Sequence, residues 1–449
     1  MTGLGLAGAM FVGMLVLMAL RVPIAAAMAL TGALGYAAQA GGMPLANFLN
    51  TQAFARFASA DLAVIPLFLL MGHLAAQGGL AQALFSAAAA ALRGVRGGLP
   101  MATVLACGAF GSICGSSVAT AATVTQVALP ELRRQGFAGG FSTATLAAGG
   151  TLGILVPPSV PLVIYAILTE QNIAQLFAAA VLPAVLAVCG YLLVIAWVVR
   201  RAGPSGAGGR SAGALAGPPV DGAGTRAPVP WRGVLPIAAV FLLVFGGIYG
   251  GAFTPNEGAA IGVAGTFVAA WWRGGLSRRG LLACATGTAG TTAMIFLIFL
   301  GADLMNAALA LTQVPAALAA AVEGWAVSPW LVVAGILAFY IVLGTVMDEL
   351  SMLLLTLPIV FPIVMGLDLG LTPRDTAVWF GVLVLMTVSF GLLAPPVGLN
   401  VYVVHGLARD VPIGQTYRAV LPFLAADLLR LLLLLVFPPL SLALVRWVG

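Results

Sequence analysis

Uncharged apolar runs recur from one end of this chain to the other, and they restrict its fold more than any other feature. They lie near 4–20, 22–40, 61–78, 141–168, 174–199, 234–250, 257–272, 281–311, 329–368, 377–405 and 419–445. A helix takes roughly 20 apolar residues to cross a bilayer core, where every backbone polar group has to be paired inside the protein. Only 7% of the 449 residues are charged, against about 25% in a soluble domain, so no water-facing globular surface can be assembled. The alternating ten-residue pattern of a membrane β-barrel is absent. The expectation is an all-α polytopic membrane protein. The first run has no basic segment before it and is read as a spanning helix rather than a cleaved leader.

All 19 basic residues are Arg, and the formal net charge is +6. They fall between apolar runs, so they report topology and not nucleic-acid binding. Cys107, Cys114, Cys189 and Cys284 lie in apolar stretches without a CxxC pair and read as small buried hydrophobes.

The segment Gly97 to Leu132 has Arg93 and Arg96 before it and Arg133 and Arg134 after it. Basic residues mark the cytoplasmic face, so both ends belong on one side. Its centre, Gly111-Ser112-Ile113-Cys114-Gly115-Ser116-Ser117, is too small and polar for a continuous helix, which predicts a re-entrant hairpin over 97–132. A second hairpin is predicted over 329–368, interrupted at 344–349. Its flanks carry Glu323 and Asp368 with Arg374 the nearby base, so it enters from outside. Two further helices, 141–168 and 377–405, are broken at Pro157-Pro158 and Pro395-Pro396.

These elements recur in one order in two halves, 1–199 and 233–449, with a short arm (80–92, 313–325) before each hairpin. The Gly/Pro/Arg-rich stretch 200–232 reads as a cytoplasmic linker. Gly153-Ile154-Leu155-Val156-Pro157-Pro158 matches Gly391-Leu392-Leu393-Ala394-Pro395-Pro396, and Gly111-Ser112 meets Gly344-Thr345. By the arginines, the first half begins outside and ends inside, and the second does the reverse. That is an inverted-topology repeat with two re-entrant hairpins and two broken helices, the plan of secondary transporters whose sites lie at helix breaks.

Broken helices expose carbonyls at one end and N–H groups at the other. With hydroxyls nearby, the carbonyls suit a monovalent cation, and the N-termini suit a carboxylate. Ser112, Ser116, Ser117 and Thr120 supply hydroxyls at the first tip, while Gly111 and Gly115 let backbones approach; small residues there also serve plain helix packing. Asp348 is a carboxylate in an apolar segment and so a functional candidate, or an interfacial acid at the hairpin's mouth. Glu349 is either solvated or part of the same site. Asn400 either orients a polar ligand or caps a helix. Asp303, His73 and His405 read as groups near the interface. No metal-ligand spacing, nucleophile triad or phosphate loop appears, which leaves an enzyme without residues.

The strings GSICGSSVATAATVTQVALPELRRQGF (from Gly111), AAGGTLGILVPPSVPLVIYAILTE (from Ala147) and, towards the C-terminus, LTLPIVFPIV, WFGVLVLMTV, GLLAPPVGLNVYVV and VLPFLAADL closely resemble the large membrane subunit of TRAP (tripartite ATP-independent periplasmic) transporters. The resemblance covers essentially the whole chain. It implies an elevator-type, sodium-coupled importer of organic acids such as C4-dicarboxylates in the bacterial inner membrane, with sodium as the coupling ion and no cofactor. It also implies two partners, a small four-helix membrane subunit on a separate chain and a periplasmic substrate-binding protein.

Carried over residue by residue, it puts sodium at the first tip (Gly111, Ser112, Gly115, Ser116) with the break Thr151 to Pro157. A second sodium position falls at Gly344, Thr345 and Asp348 with the stretch Thr387 to Ala394. Substrate is expected between the tips, near Ser117, Thr120, Pro158, Ser159, Pro395, Pro396 and Asn400. The chain departs from the family in two places: Ser389 precedes Phe390-Gly391 where Glu often stands beside the Gly, and Cys114 takes a position commonly Ser. A single-component sodium–carboxylate symporter is the alternative; it would work without a soluble protein.

Overall fold

The computed structural model describes residues 3–201, 231–314 and 328–448. Most of the 200–232 linker and the 313–325 arm, with Glu323, lie outside them. Among the described residues every regular element is helical. Six helices are long and apolar enough to span a membrane, and Leu15, Leu34, Leu193, Leu242, Leu297, Phe339 and Leu429 point outward, as lipid-facing side chains do.

The first part runs α1 (Gly3–Ala19), α2 (Ile24–Ala40), α3 (Gly42–Phe57), α4 (Val64–Gln77) and α5 (Leu80–Ala91). Helix α3 was not expected from the hydropathy. Its Asn47, Asn50, Thr51, Gln52 and Arg56 interrupt every apolar run, and none of its residues is buried. It is tied down by Arg56, whose Nε donates to Asp303 Oδ2 at 2.7 Å. Asp303 is thus a paired acid, on the long helix α13 introduced below, and not a free interfacial one.

The first hairpin is α6 (Gly98–Cys114) and α7 (Ser117–Arg134). Its non-helical tip is shorter than the sequence suggests. Helix α6 continues through Gly111 to Cys114, and only Gly115 and Ser116 make the turn. The first broken helix follows as α8 (Gly139–Leu155) and α9 (Val160–Thr169), then α10 (Ile173–Arg201). After the undescribed stretch come α11 (Trp231–Tyr249), α12 (Pro255–Trp272) and α13 (Arg278–Leu311). The second hairpin is α14 (Pro329–Gly344) and α15 (Glu349–Met365), the second broken helix α16 (Pro373–Gly391) and α17 (Leu399–Leu407), and the last long helix α18 (Ile413–Val436).

Two bonds fix the relative direction of the broken helices. Arg133, just before α8, pairs with Asp410, just after α17, at 2.6 Å. Arg374, at the start of α16, donates to Gln175, just beyond α9, at 3.0 Å. The α8–α9 pair therefore runs antiparallel to α16–α17. These helices form the protein's interior: 83% of the spanning stretch of 139–169, and of 373–391, is buried, against 39% for α18 and 44% for α10.

Each hairpin is seated on one break through a glycine–glycine contact. A Cβ on Gly111 would lie 2.6 Å from the Cα of Gly153, and one on Gly391 would lie 2.6 Å from the Cα of Gly344. Any side chain at these points would push hairpin and broken helix apart.

Behind the first break, the Thr151 and Tyr191 hydroxyls are 3.0 Å apart, and the Tyr191 hydroxyl donates to Asp427 Oδ2 at 2.8 Å. Asp427 lies 2.9 Å from an Arg430 nitrogen, with both side chains 5% exposed or less. This chain of polar groups joins α8, α10 and α18. The ion pair lacks hydrogen-bond alignment, and Arg430 Nε has no partner.

Gly391→Val is expected to cost about 1–3 kcal/mol or more by overpacking, whereas Gly335→Ala, with open space around its Cβ, should leave the melting temperature unchanged or slightly raised. Thermal melting of the purified variants checks both. Asp427→Ala strands Arg430 as a buried unpaired charge and is expected to lose about 3–5 kcal/mol. A melting temperature equal to wild type would contradict that account.

Candidate functional site

The tips and breaks converge as the chain order requires. In the first unit, the backbone N–H of Val160, just past Pro157-Pro158, donates to the carbonyl of Gly115 in the tip at 3.3 Å. In the second, the N–H of Gly398, just past Pro395-Pro396, donates to the carbonyl of Thr345 at 3.3 Å. Each hairpin thus supplies an acceptor to the donor freed by the opposite break, which is how irregular backbone is tolerated at depth. Both Pro-Pro bonds are cis.

Hydroxyls recur in the same places. Ser112 donates to Ala109 O at 2.8 Å and Thr345 to Val342 O at 2.7 Å. Each spends its proton on the carbonyl three residues back and keeps oxygen lone pairs free to accept or to coordinate. Thr151 is engaged with Ala148 O and Tyr191, on the side of α8 towards α10. Thr387 bonds Leu383 O within α16. Ala394 lies in the non-helical stretch, its N–H 3.0 Å from Phe390 O.

Ser116 and Asp348 occupy the same local position, the N-cap of the second arm of each hairpin. Ser116 Oγ accepts from Ala119 N at 3.5 Å. Asp348 Oδ2 accepts from Leu350 N and Ser351 N, both at 3.1 Å, and Oδ1 takes the Ser351 hydroxyl. A carboxylate in that place satisfies donors that α15 would otherwise leave open. Asp348 is therefore held by its own helix.

The residues read as substrate contacts divide by environment. Pro158 and Ser159 are buried, as is Pro157 of the first sodium position, while Pro395 and Pro396 are exposed, with the Tyr417 hydroxyl donating to Pro396 O at 3.1 Å. Thr120 Oγ1, Ser159 Oγ and Asn400 Oδ1 are fully buried without a hydrogen-bond partner. Buried polar atoms are normally paired; Thr125 Oγ1, Ser142 Oγ and Ser441 Oγ share this state, and all these oxygens are open to a further partner. Asn400 is not a cap: Gly398 precedes α17 as its N-cap, and the Asn400 amide donates to Ala147 O at 3.3 Å. The first break and α17 meet here, because a Cβ on Gly150 would lie 3.0 Å from Asn400 Nδ2.

Ser117 reaches across to the other hairpin. Its hydroxyl is shared between the two carboxylate oxygens of Glu349, at 3.3 and 3.2 Å. Glu349 is 5% exposed, so it is enclosed between the hairpins and not in solvent. Sequence reasoning left it open because only the meeting of two hairpins distant in sequence buries it. The Tyr191–Asp427–Arg430 group was missed altogether. An acid and an arginine three residues apart in an apolar run was the available signal. One further expectation changes, since Cys189 is exposed on α10; His73 packs against α13, with its ring 3.1 Å from where a Gly287 Cβ would stand.

A family model described as the tripartite ATP-independent periplasmic transporter, DctM component, matches residues 11–440. The chain is 33% identical over 393 residues to the C4-dicarboxylate TRAP transporter large permease protein DctM of Pseudomonas aeruginosa, covering 86% of this chain and 87% of that one. It is 29% identical to the isethionate TRAP transporter permease protein DctMQ of Oleidesulfovibrio alaskensis, covering 92% of this chain and 62% of that longer protein. It is 28% identical to the sialic acid TRAP transporter large permease protein SiaM of Vibrio cholerae, covering 89% of each. In fold it is similar to the Alcanivorax borkumensis YdaH transporter, with a TM-score of 0.58 at 19% identity over 91% of this chain and 90% of that one. The match over nearly the whole length places this multi-pass membrane protein among transport proteins and not enzymes: it belongs to the DctM family of large permease components of TRAP transporters.

Proposed function

We propose that the chain is the large permease of a sodium-coupled secondary transporter of the bacterial inner membrane. It imports an organic acid delivered by a periplasmic binding protein and works beside a separate small membrane subunit. The observation that carries this reading is the doubled seat of hairpin on break, Gly111 on Gly153 and Gly344 on Gly391. Repeated contacts on antiparallel broken helices are what an inverted repeat produces, and such repeats let one site face either side in turn. Residues 1–199 and 233–449 are the two repeats in this reading. The hairpins with their broken helices are the part that moves as an elevator.

The chemistry supports cation coupling at the tips. Ser112 and Thr345 present hydroxyl oxygens whose protons are already committed, beside tip carbonyls, a donor set suited to a hard cation. Gly111, Gly115, Ser116, Thr151 and Pro157 complete the first sodium position, and Gly344, Asp348, Thr387 and Ala394 the second. The substrate lies between the tips, where Ser117, Thr120, Ser159 and Asn400 offer hydroxyls and an amide and Pro158, Pro395 and Pro396 shape the walls. The relatives carry the names of C4-dicarboxylate, isethionate and sialic acid transporters, all organic anions, which is the class taken here.

Reconstitution of the chain with its small partner in proteoliposomes tests this. Uptake of labelled organic acids is expected only with an inward sodium gradient and the soluble binding protein together. Sodium-driven uptake without the soluble protein would assign a single-component symporter instead. Ser112→Ala and Thr345→Val each remove one oxygen and are expected to raise the sodium concentration for half-maximal uptake about tenfold, the equivalent of about 1.4 kcal/mol. Unchanged sodium activation in both would remove the hydroxyls from the cation positions.

A further inference from the structure

The tip-to-tip contact between Ser117 and Glu349 carries information about the substrate. Glu349 is the first residue of α15 and Ser117 the first of α7, so two helix N-termini meet at one carboxylate. The Ser117 hydroxyl proton is divided between both of its oxygens, and the backbone N–H groups of Ser117 and of Glu349 itself face it. None of the ion pairs among the described residues involves Glu349, and the adjacent acid, Asp348, is committed to capping. A carboxylate has about four lone-pair sites, so this one keeps capacity for a further donor. The place between the tips is therefore already provided with one carboxyl group.

We infer that Glu349 sets the substrate class, on the reading above that substrate lies between the tips. A ligand reaching Glu349 satisfies it by bringing a hydroxyl or amino donor. A ligand bringing a second carboxylate puts two such groups in one buried setting, where both cannot readily ionise. The ligand's own carboxylate then has to bind away from Glu349. Donors exist one turn further along α7 at Thr120 and beside the first break at Ser159, both buried and unpartnered. The substrate is thus a monocarboxylate with a hydroxyl or amino group at its other end, and dicarboxylates are disfavoured.

The test is ligand binding to the purified complex of this chain and its small partner in lipid nanodiscs, in sodium chloride, followed by calorimetric titration. 4-Hydroxybutyrate, 3-hydroxybutyrate and 4-aminobutyrate are set against succinate and fumarate. At least one of the first three is expected to bind wild type at least tenfold more tightly than either dicarboxylate. Glu349→Gln, which keeps the size of the side chain, is expected to bring that ratio within about twofold. Wild type binding succinate as well as the best monocarboxylate would overturn the inference with no variant needed, as would a preference unchanged in Glu349→Gln; either leaves the transporter reading standing. Binding of none of the five by wild type or variant would sink the placement of an organic acid between the tips, and the role of Glu349 with it.

Discussion

Every polar backbone group at the depth of the hairpin tips needs a partner inside the protein, and the architecture follows from how that need is met. A helix broken in an apolar interior frees donors and acceptors that cost several kcal/mol each when left bare. Here the donor just beyond each Pro-Pro is taken by a carbonyl of a hairpin tip, Val160 to Gly115 and Gly398 to Thr345. A tip can come that close only because glycine faces glycine at Gly111–Gly153 and Gly344–Gly391. Removing either seat would leave a break unsatisfied and a hairpin unsupported.

The same requirement orders the side chains. Asp348 and Ser116 close the open N-termini of α15 and α7. Behind the first break, Thr151 leans on Tyr191, which leans on Asp427, so the end of α8 is held from the side opposite the hairpin. Against this paired background the exceptions stand out. Thr120, Ser159 and Asn400 are among the residues that keep buried oxygens without partners, and the buried Glu349 carboxyl has only a shared hydroxyl and helix ends as partners. Polar groups left underpaired in an apolar interior are expensive.

Local signals made much of this legible. The hairpins and broken helices were readable because Gly-Ser, Gly-Thr and Pro-Pro interrupt otherwise apolar runs, and the interruption at 344–349 agrees with a non-helical stretch from Thr345 to Asp348. The first tip was overestimated: Gly111 and Ser112 are poor helix formers in isolation, but packing on α8 keeps them helical to Cys114. Helix α3 escaped because it buries nothing and so has no apolar run. Asp303 was placed without its partner because Arg56 lies on that same helix.

What the sequence determined by itself is the class: apolar length, sparse charge and arginine placement require a polytopic helical protein, and the doubled motifs mark where its helices fail. Those properties depend on residues near one another in the chain. Only the tertiary structure decided which tip meets which break and that the broken helices run antiparallel. It also decided that Glu349 is enclosed by Ser117. These depend on pairs of residues far apart in the chain, and burial, which sets the cost and the use of a charge, comes into being only when such pairs meet.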